Sequence, residues 1–492
     1  MRKNLTLLLF ILLSVSTILV GYAENDYPLA KSIIQDDSCI PEEFQNLSFA
    51  VYPDSSEYNT DRFNYNKRFN YFPKIIFYPE NPKQVQFLVK VFGKYNLEFA
   101  IRSGGHCFEP GSLSSDYIVD LSNFNEIIPD IGREEVYIGA GTELKNVIST
   151  LGEIDYAIPT GTCPSVGVTG LTMGGGIGFL CRQFGLTCDS VKSIKLVNAK
   201  GKIIEASYDT HSDLFWALRG AGNGSYGIVL GFTFKIHYVP VVTYYELMWE
   251  WDANLIKPIM ETWQPWAENL PDDTTTVLGF RHPNYMCAVP EESPPFVIRI
   301  DGLKVGPEPF TDWEVFKKFH PKVRIIQTSY LDSSKYWSNE SPLHFNKGKS
   351  KIMDQPLDGK TIDKVEEFFR KLEDSNPNFL AYFDFERFGG KVAHNDSSFF
   401  PSQAFGWWEQ AYFWDYPEQT DVVLALSRQF YKSLSNKTFP YCYANFVDYD
   451  LGKKYLFRYY GDHVDRLITI KQKYDPHNLF HWKQSIPVRC QE

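Results

Sequence analysis

Two short stretches hold the residues best suited to chemistry. Arg102 to Gly111 reads RSGGHCFEPG, and Pro159 to Phe179 reads PTGTCPSVGVTGLTMGGGIGF. Each sets a nucleophile, His106 or Cys163, in chain too rich in glycine to be regular helix or strand. Glycine lets backbone N–H groups approach a ligand closely, so both stretches read as cradles for a pyrophosphate-bearing cofactor. Either nucleophile could attack an electrophilic carbon of that cofactor. The run Gly174-Gly175-Gly176-Ile177-Gly178 does not give G-x-G-x-x-G after a strand and before a helix, which argues against a nicotinamide-binding turn. A loop histidine or a buried cysteine alone is most often structural. The pairing of the two in such loops carries the reading.

These loops must be held by ordered elements. FPKIIFYPENPKQVQFLVKVFGKYN, from Phe72, predicts a strand, a Pro-marked turn and an amphipathic helix carrying Val85, Leu88, Val89 and Val91. LEFAIRSGG and YIVDLSNFN predict further strands, and SIKLVNAKGKIIEA a hairpin. DLFWALRGAGNGSYGIVLGFTFKIHYVP predicts a short helix, a glycine turn and a long strand. From about Val241 the texture changes. Aromatic-rich strands (YYELMWEW, TTTVLGF, PFVIRIDGLKV) alternate with helical stretches such as TIDKVEEFFRKLED, which predicts an antiparallel sheet with helices on one face. The expected class is α+β. The expected divisions are a signal peptide over 1–23, a cofactor-binding domain over 24–239, a substrate-binding domain over 240–440 and a C-terminal segment over 441–492, which ends in a helix stopped by Asp-Pro and then an extended tail.

The bulk numbers bound the partners. A chain of 492 residues exceeds one core. Its net charge of -11, without basic blocks, argues against nucleic-acid or anionic-membrane binding. MRKNLTLLLFILLSVSTILVGYAEN has two cations, an apolar run from Leu5 to Val20 and small residues at Gly21 and Ala23, the pattern of a secretory signal cut after Ala23. No other segment is long and apolar enough to cross a bilayer. A secreted protein is therefore expected, with Asn-x-Ser/Thr acceptors at Asn46, Asn223, Asn339, Asn395 and Asn436. Asn223 sits in a motif read as buried. Eight cysteines would allow four disulfides, but their irregular spacing without a CxxC pair argues against zinc, and no metal is expected.

The sequence resembles the berberine bridge enzyme-like oxidoreductases, within the vanillyl-alcohol oxidase (PCMH-type) class of FAD enzymes. The resemblance rests on RSGGHCFEPG, YIVDLSNFN, IPTGTCPSVGVTGLTMGGGIGFLCRQFGLTCDSV, DLFWALRGAGNGSYGIV and the C-terminal YYGDHVDRL…KYDPHNLFHWKQSIP. It covers most of the chain and is weak between about 241 and 400, where substrate would be read. It implies a two-part FAD-binding domain, to which the C-terminal segment returns, and a bicovalent FAD, joined through its 8α carbon to His106 and through C6 to Cys163. It further implies a cradle of Arg102, Ser103, Gly104, Gly105, Gly161, Thr162, Gly167, Gly170, Gly174 and Ile228, closed by Asn478 and Gln484. Val166 occupies the place that tends to admit oxygen in the family when it is valine, which favours an oxidase using O2. Ile177 and Phe108 stand where plant members carry tyrosines, which speaks against a plant-type phenol site.

For the catalytic base the resemblance points to two stretches. PYCYANFVDYD places Tyr443 near the flavin. The strand GWWEQAYFWDY leaves Glu409, Gln410, Tyr412 and Asp415 open, with a Tyr443–Asp415 pair favoured, because a tyrosine needs a partner to act as a base near neutrality. The expected activity is oxidation of an alcohol or hemiacetal, foremost a mono- or oligosaccharide at C1, with H2O2 as product. The alternatives are a specialised metabolite such as an alkaloid or polyketide alcohol, or a flavin-bearing binding protein with little turnover. The oligomeric state stays open.

Overall fold

The computed structural model describes residues 40–281, 296–338, 344–374, 379–394, 396–399, 401, 403–434 and 440–489. The expected signal peptide, the acceptors Asn339, Asn395 and Asn436, and Cys39, Cys287 and Cys490 lie outside these. Residues 40–47 belong to a separate unit, with one short turn of helix at Glu42–Phe44. Residues from Ser48 onward form a compact unit with three main sheets.

The first sheet joins β1 (Ala50–Val51), β2 (Ile75–Phe77), β3 (Phe99–Arg102) and β4 (Tyr117–Asp120) in the order β1-β2-β4-β3. The last three strands are parallel. The crossover between β2 and β3 is the helix Pro82–Tyr95. Asn81 caps it by accepting from the N–H groups of Lys83 and Gln84, and Asn96 ends it in the left-handed conformation. Val85, Leu88, Val89 and Val91 are buried along it, as their spacing predicts. Next come β5 (Ile127–Asp130), β6 (Glu135–Gly139), β7 (Tyr156–Ala157), β8 (Val191–Val197), β9 (Ile203–Ser207), β10 (Ile228–Lys235) and β11 (His237–Tyr238). Five of these form an antiparallel sheet, β5-β6-β10-β8-β9, and β7 pairs with β11.

The third sheet has seven antiparallel strands: β12 (Val242–Glu250), β13 (Thr274–Arg281), β14 (Val297–Val305), β15 (Lys322–Thr328), β16 (Phe345–Met353), β17 (Leu380–Arg387) and β18 (Gly406–Trp414). Their order is β15-β12-β14-β13-β17-β18-β16. Alternation along each strand splits the residues between two faces. One face, with Leu278, Phe280, Ile298, Ile300, Phe383, Phe385, Trp408 and Tyr412, packs on Ile259, Trp263, Val365, Phe369 and Phe430 of the covering helices Ile256–Glu268, Gly359–Asp374 and Thr420–Ser433. Burying side chains of this size is worth roughly 1.5–3 kcal/mol each, so the dry face secures the sheet. The other face carries Arg281, Asp301, Asp384, Glu386, Trp407 and Glu409, and it is the face with chemical content. The architecture is α+β, as expected.

Candidate active site

Between the glycine loops and the polar face of the third sheet lies a cavity of about 350 Å³. One wall is the loop after β3, with Ser103, Gly104, Gly105, His106 and Cys107, joined by Gly161, Thr162, Cys163, Val166, Gly167 and Gly170. The opposite wall is Tyr382, Asp384 and Glu386 of β17, Trp407, Glu409 and Phe413 of β18, and Arg281 of β13. Tyr443, Asn445 and Phe446 close one end, and Phe480, His481 and Trp482 another.

The two loops meet backbone to backbone. A Cβ on Gly104 would stand 2.2 Å from the Gly167 nitrogen, and one on Gly167 2.3 Å from the Gly104 nitrogen. Any side chain there would drive the loops apart, whereas a Cβ on Gly170 would meet nothing within 4 Å and would point into open space. Part of the second stretch, expected to be irregular, is a short helix, Val168–Met173, and Ser103 Oγ of the first loop and Thr169 Oγ1 of that helix both donate to the Ala140 carbonyl at 2.7 Å, tying the two stretches to one point.

The nucleophiles sit on this wall in different electrostatic states. His106 stacks on Tyr65 with ring centroids 4.1 Å apart, and its Nε2 lies 2.9 Å from Ser165 Oγ. Burial pulls its pKa down to about 4, so at neutral pH the imidazole keeps a free lone pair. Burial, with the Glu409 carboxyl adding to it, pushes the Cys163 thiol up to about 11. That thiol needs a base before it can attack.

The opposite wall is rich in carboxyls. Arg281 pairs with Asp384 at 2.7 Å and Asp301 at 3.5 Å, and Arg299 with Glu246 at 3.1 Å and Asp301 at 3.3 Å. These guanidinium groups are thus engaged. Glu386 instead accepts from Trp407 Nε1–H at 3.0 Å and from the Cys181 thiol at 3.8 Å. Burial raises its pKa to about 7. Glu409 stands opposite Asp384 in the ladder, and burial followed by repulsion from Asp384 and Glu386 raises its carboxyl well above the usual range. Among the described residues, neither Glu386 nor Glu409 has a salt-bridge partner.

Tyr443 lies at the end of this cavity, where its hydroxyl accepts from the Gly176 N–H at 3.0 Å and from Asn445 Nδ2 at 2.9 Å. Burial raises its pKa despite those bonds. Asp415 is elsewhere. Its side chain is 70% exposed and bonds His344 Nδ1 at 2.8 Å, so the expected Tyr443–Asp415 pair does not form. Gln410 and Tyr412 face the covering helices: Tyr412 donates to Gln410 Oε1 at 2.7 Å, and Gln410 Nε2 to the Ser427 carbonyl at 3.0 Å. Strand parity explains both corrections, because only odd-numbered residues of β18 up to Phe413 face the cavity, and Asp415 falls beyond the strand's end. Of that set, Glu409 alone meets the cavity.

The expected cradle also divides. Arg102 does not line the cavity. Its guanidinium holds Asp120, the Phe63 carbonyl at 3.1 Å and Tyr78 Oη at 3.3 Å, bracing the loop from behind. Ile228 is buried in β10, while its neighbours Gly227 and Val229 line the wall. Gly174 abuts Asn445, whose Oδ1 would stand 2.0 Å from a Cβ there, so it positions that side chain. Gln484 bonds the Asp448 carbonyl at 2.8 Å and receives Tyr459 Oη at 3.1 Å; Asn478 lies in a separate hollow with Glu98 and Tyr455. The tail reaches the cavity through His481 and Trp482 instead. Asn223 donates to Asn445 Oδ1 at 3.0 Å on the cavity wall, a poor place for a glycan. Cys107, Cys163, Cys181, Cys188 and Cys442 are free thiols.

Arg281, Asp384, Glu386, Tyr65, Ser165 and Asn445 escaped the sequence reading. The signal for two of them was present: in AYFDFERF the acids Asp384 and Glu386 alternate with Phe383 and Phe385, the mark of a strand with one dry and one polar face.

The site residues fit FAD: two glycine loops in backbone contact, an open face at Gly170, and a neutral imidazole and a thiol on the cavity wall. Comparison with known proteins agrees. Residues 73–207 match the FAD binding domain family and residues 442–487 the berberine and berberine-like family. An uncharacterized FAD-linked oxidoreductase of Bacillus subtilis, YgaK, is 30% identical over 88% of this chain and 95% of its own. The solved BBE-like 1 of Physcomitrella patens superposes with a TM-score of 0.80 at 26% identity, covering 90% of this chain and 97% of the other. The glucooligosaccharide oxidase of Acremonium strictum, described with a 6-S-cysteinyl, 8α-N1-histidyl FAD, shares the fold with a TM-score of 0.77 at 21% identity over 90% of this chain and 97% of its own. The chain belongs to the berberine bridge enzyme-like FAD-linked oxidoreductases of the PCMH-type superfamily.

Proposed function

We propose that the protein is a secreted oxidase carrying FAD tethered to both His106 and Cys163. It oxidises an alcohol or hemiacetal carbon. When bound, the flavin would take a hydride from that carbon and pass the electrons to O2, giving H2O2. The protein's part is to bind, orient and move a proton. The single observation that carries the reading is the facing of His106 and Cys163 by the carboxyl wall across one cavity.

In this reading Glu386 accepts the substrate's hydroxyl proton. Its carboxylate is supported by the Trp407 and Cys181 donors, and its pKa near 7 suits a base working at neutral pH. Glu409 keeps its proton and donates a hydrogen bond to the substrate. Tyr443 bonds Gly176 and holds Asn445, fixing the end of the cavity. Val166 lies on the cofactor wall, where O2 would arrive.

For substrate we favour a mono- or oligosaccharide oxidised at C1. The carboxyls of Glu386 and Glu409 offer acceptors for sugar hydroxyls, and Trp407 and Tyr382 offer faces for its ring. The fold neighbour named above is a glucooligosaccharide oxidase. The rings of Phe108, Phe413 and Phe446 on the same cavity favour the second reading, a flat apolar alcohol of specialised metabolism. The test is a peroxide assay over a sugar panel and an aromatic-alcohol panel with the flavin-loaded enzyme. Peroxide from sugars alone supports the first reading. A reducible flavin with no peroxide from any sugar removes it.

A further inference from the structure

The anchor loop is held from the far side of the cavity. Strand β16 is one of the two outer strands of the seven-stranded sheet, so one of its edges has no strand partner within that sheet. Two segments use that edge. Residues 64–68 meet its start: Asn66 bridges to His344, accepts from the Asn346 N–H at 3.0 Å and donates to the Asn346 carbonyl at 3.0 Å. The Tyr443 segment meets its end, with the Ile352 N–H donating to the Tyr441 carbonyl at 2.9 Å and the Tyr443 N–H to Ser350 Oγ at 3.0 Å.

The first segment in turn grips the anchor loop. Asn66 Nδ2 also donates to the Phe108 carbonyl at 2.9 Å, two residues past His106. The Tyr65 N–H donates to the Gly105 carbonyl at 3.0 Å, and the Tyr65 ring covers the His106 ring. A Cβ on Gly348 would stand 2.9 Å from the Phe108 ring, so strand and loop are in contact there. Lys347 makes the charged link. Its ammonium, 2% exposed, joins Glu109 of the loop to Asp448 of the Tyr443 segment, the latter at 2.7 Å. The lysine belongs to a wider buried network, since Arg68 also pairs with Glu109 and Lys349 with Asp448, each at 2.7 Å, and within it Lys347 is the group that joins the two carboxylates.

We infer that β16, acting through Asn66 and Lys347, is the positioning device for covalent attachment at His106. The inference rests on the FAD-tethering reading above. Attachment breaks the imidazole N–H and one C–H bond at the flavin 8α carbon and forms the N–C bond. The two electrons and two protons pass to the flavin ring, from which O2 takes them as H2O2. The step needs the imidazole in line with that carbon, and a misplacement of about 1 Å costs on the order of a hundredfold in rate. Cys163 stands on the other loop and touches neither Asn66 nor Lys347 in this network, so its bond to C6 should be indifferent to the clamp.

The test reads each tether alone. Asn66→Ala, Lys347→Gln and the conservative Lys347→Arg are each placed in a Cys163→Ala background, which leaves only the histidyl bond, and in a His106→Ala background, which leaves only the cysteinyl bond. Apo-protein is mixed with FAD, and the flavin retained after acid precipitation is followed with time, beside non-covalent FAD affinity and melting temperature. The expected result is on the order of a hundredfold slower histidyl attachment in Asn66→Ala and Lys347→Gln, partial rescue in Lys347→Arg, and unchanged cysteinyl attachment with FAD affinity within about twofold. Equal slowing of both bonds, or no slowing of either, overturns the inference. Should Lys347→Gln fail to fold, Asn66→Ala alone decides it. A Cys163→Ala parent that gains no covalent flavin would instead remove the histidyl tether itself, and the clamp with it.

Discussion

Replacing Glu386 by Gln should stabilise the protein in alkali while disabling it. The carboxyl is 8% exposed, and its pKa rises from an ordinary 4.5 to about 7, chiefly through burial. Below pH 4.5 the group is protonated in folded and unfolded chains alike and contributes nothing to the balance. Between 4.5 and 7 the unfolded chain releases a proton that the folded chain retains, so folding loses about 1.4 kcal/mol per pH unit. Above 7 both states are ionised and the penalty levels at about 3 kcal/mol. Gln removes the slope, keeps an oxygen for the Trp407 N–H, and has nearly the same volume.

The assay is urea unfolding at pH 5, 6, 7 and 8, followed by tryptophan fluorescence, with wild type and variant in parallel. The two should differ least at pH 5. The variant should gain on wild type up to pH 8 by up to about 3 kcal/mol. The same variant should lose on the order of 10²–10⁴ in kcat/KM and lack the rise in rate through pH 7. Parallel stability curves would mean that Glu386 is not buried as a carboxyl of raised pKa. A kcat/KM that still climbs through pH 7 in the variant would give the base role to another group, Glu409 first.

Other outcomes follow from the same geometry. Wild-type protein, His106→Ala and Cys163→Ala should each leave a yellow pellet on acid precipitation, and the double variant a colourless one. Asp415→Asn should change neither activity nor stability by more than about 1 kcal/mol, since its pairing with His344 is a surface contact. Tyr443→Phe removes the acceptor for the Gly176 N–H and Asn445 Nδ2, and should cost about 1–3 kcal/mol in urea unfolding together with a fall in kcat. Gly104→Ala should prevent folding of the two-loop wall, while Gly170→Ala should fold and weaken FAD binding, read by fluorescence titration of the apo-protein.

How far the sequence revealed the site depended on the kind of signal. Periodicity located the helix Pro82–Tyr95, strand texture located β12, β13 and β14 of the third sheet, and the Ala199-Lys200-Gly201 turn located the hairpin β8–β9, whereas β15, β16 and β17 were not picked out. The glycine loops were legible because few residue types can form them. The Tyr443–Asp415 pair was not, since nothing in the linear order says that β18 ends at Trp414 and turns Asp415 to solvent. Arg102 looked like part of a phosphate cradle, yet it belongs to Asp120, an 18-residue separation that only the parallel pairing of β3 with β4 brings together. The clamp from Asn66 to Asn346 spans 280 positions and leaves no local trace.

The third sheet shows why the chemistry and the stability of this fold can be altered separately. Phe383 and Phe385 alternate with Asp384 and Glu386 on a single strand, so the group that secures the core and the group that faces the cavity are sequence neighbours with opposite surroundings. The apolar face repays its ordering by burial. The polar face pays in raised carboxyl pKa values at Asp384, Glu386 and Glu409. Asp384 and Glu409 share one rung and Glu386 lies two residues along the same face, so the three carboxyls destabilise one another, and a solely structural sheet would gain by replacing them. The strain lies at the cavity, opposite His106 and Cys163, which is where the proposed proton transfer would use it. The dry face of the same strands makes the strain affordable: a substitution on the cavity face can remove activity and still leave the sheet folded.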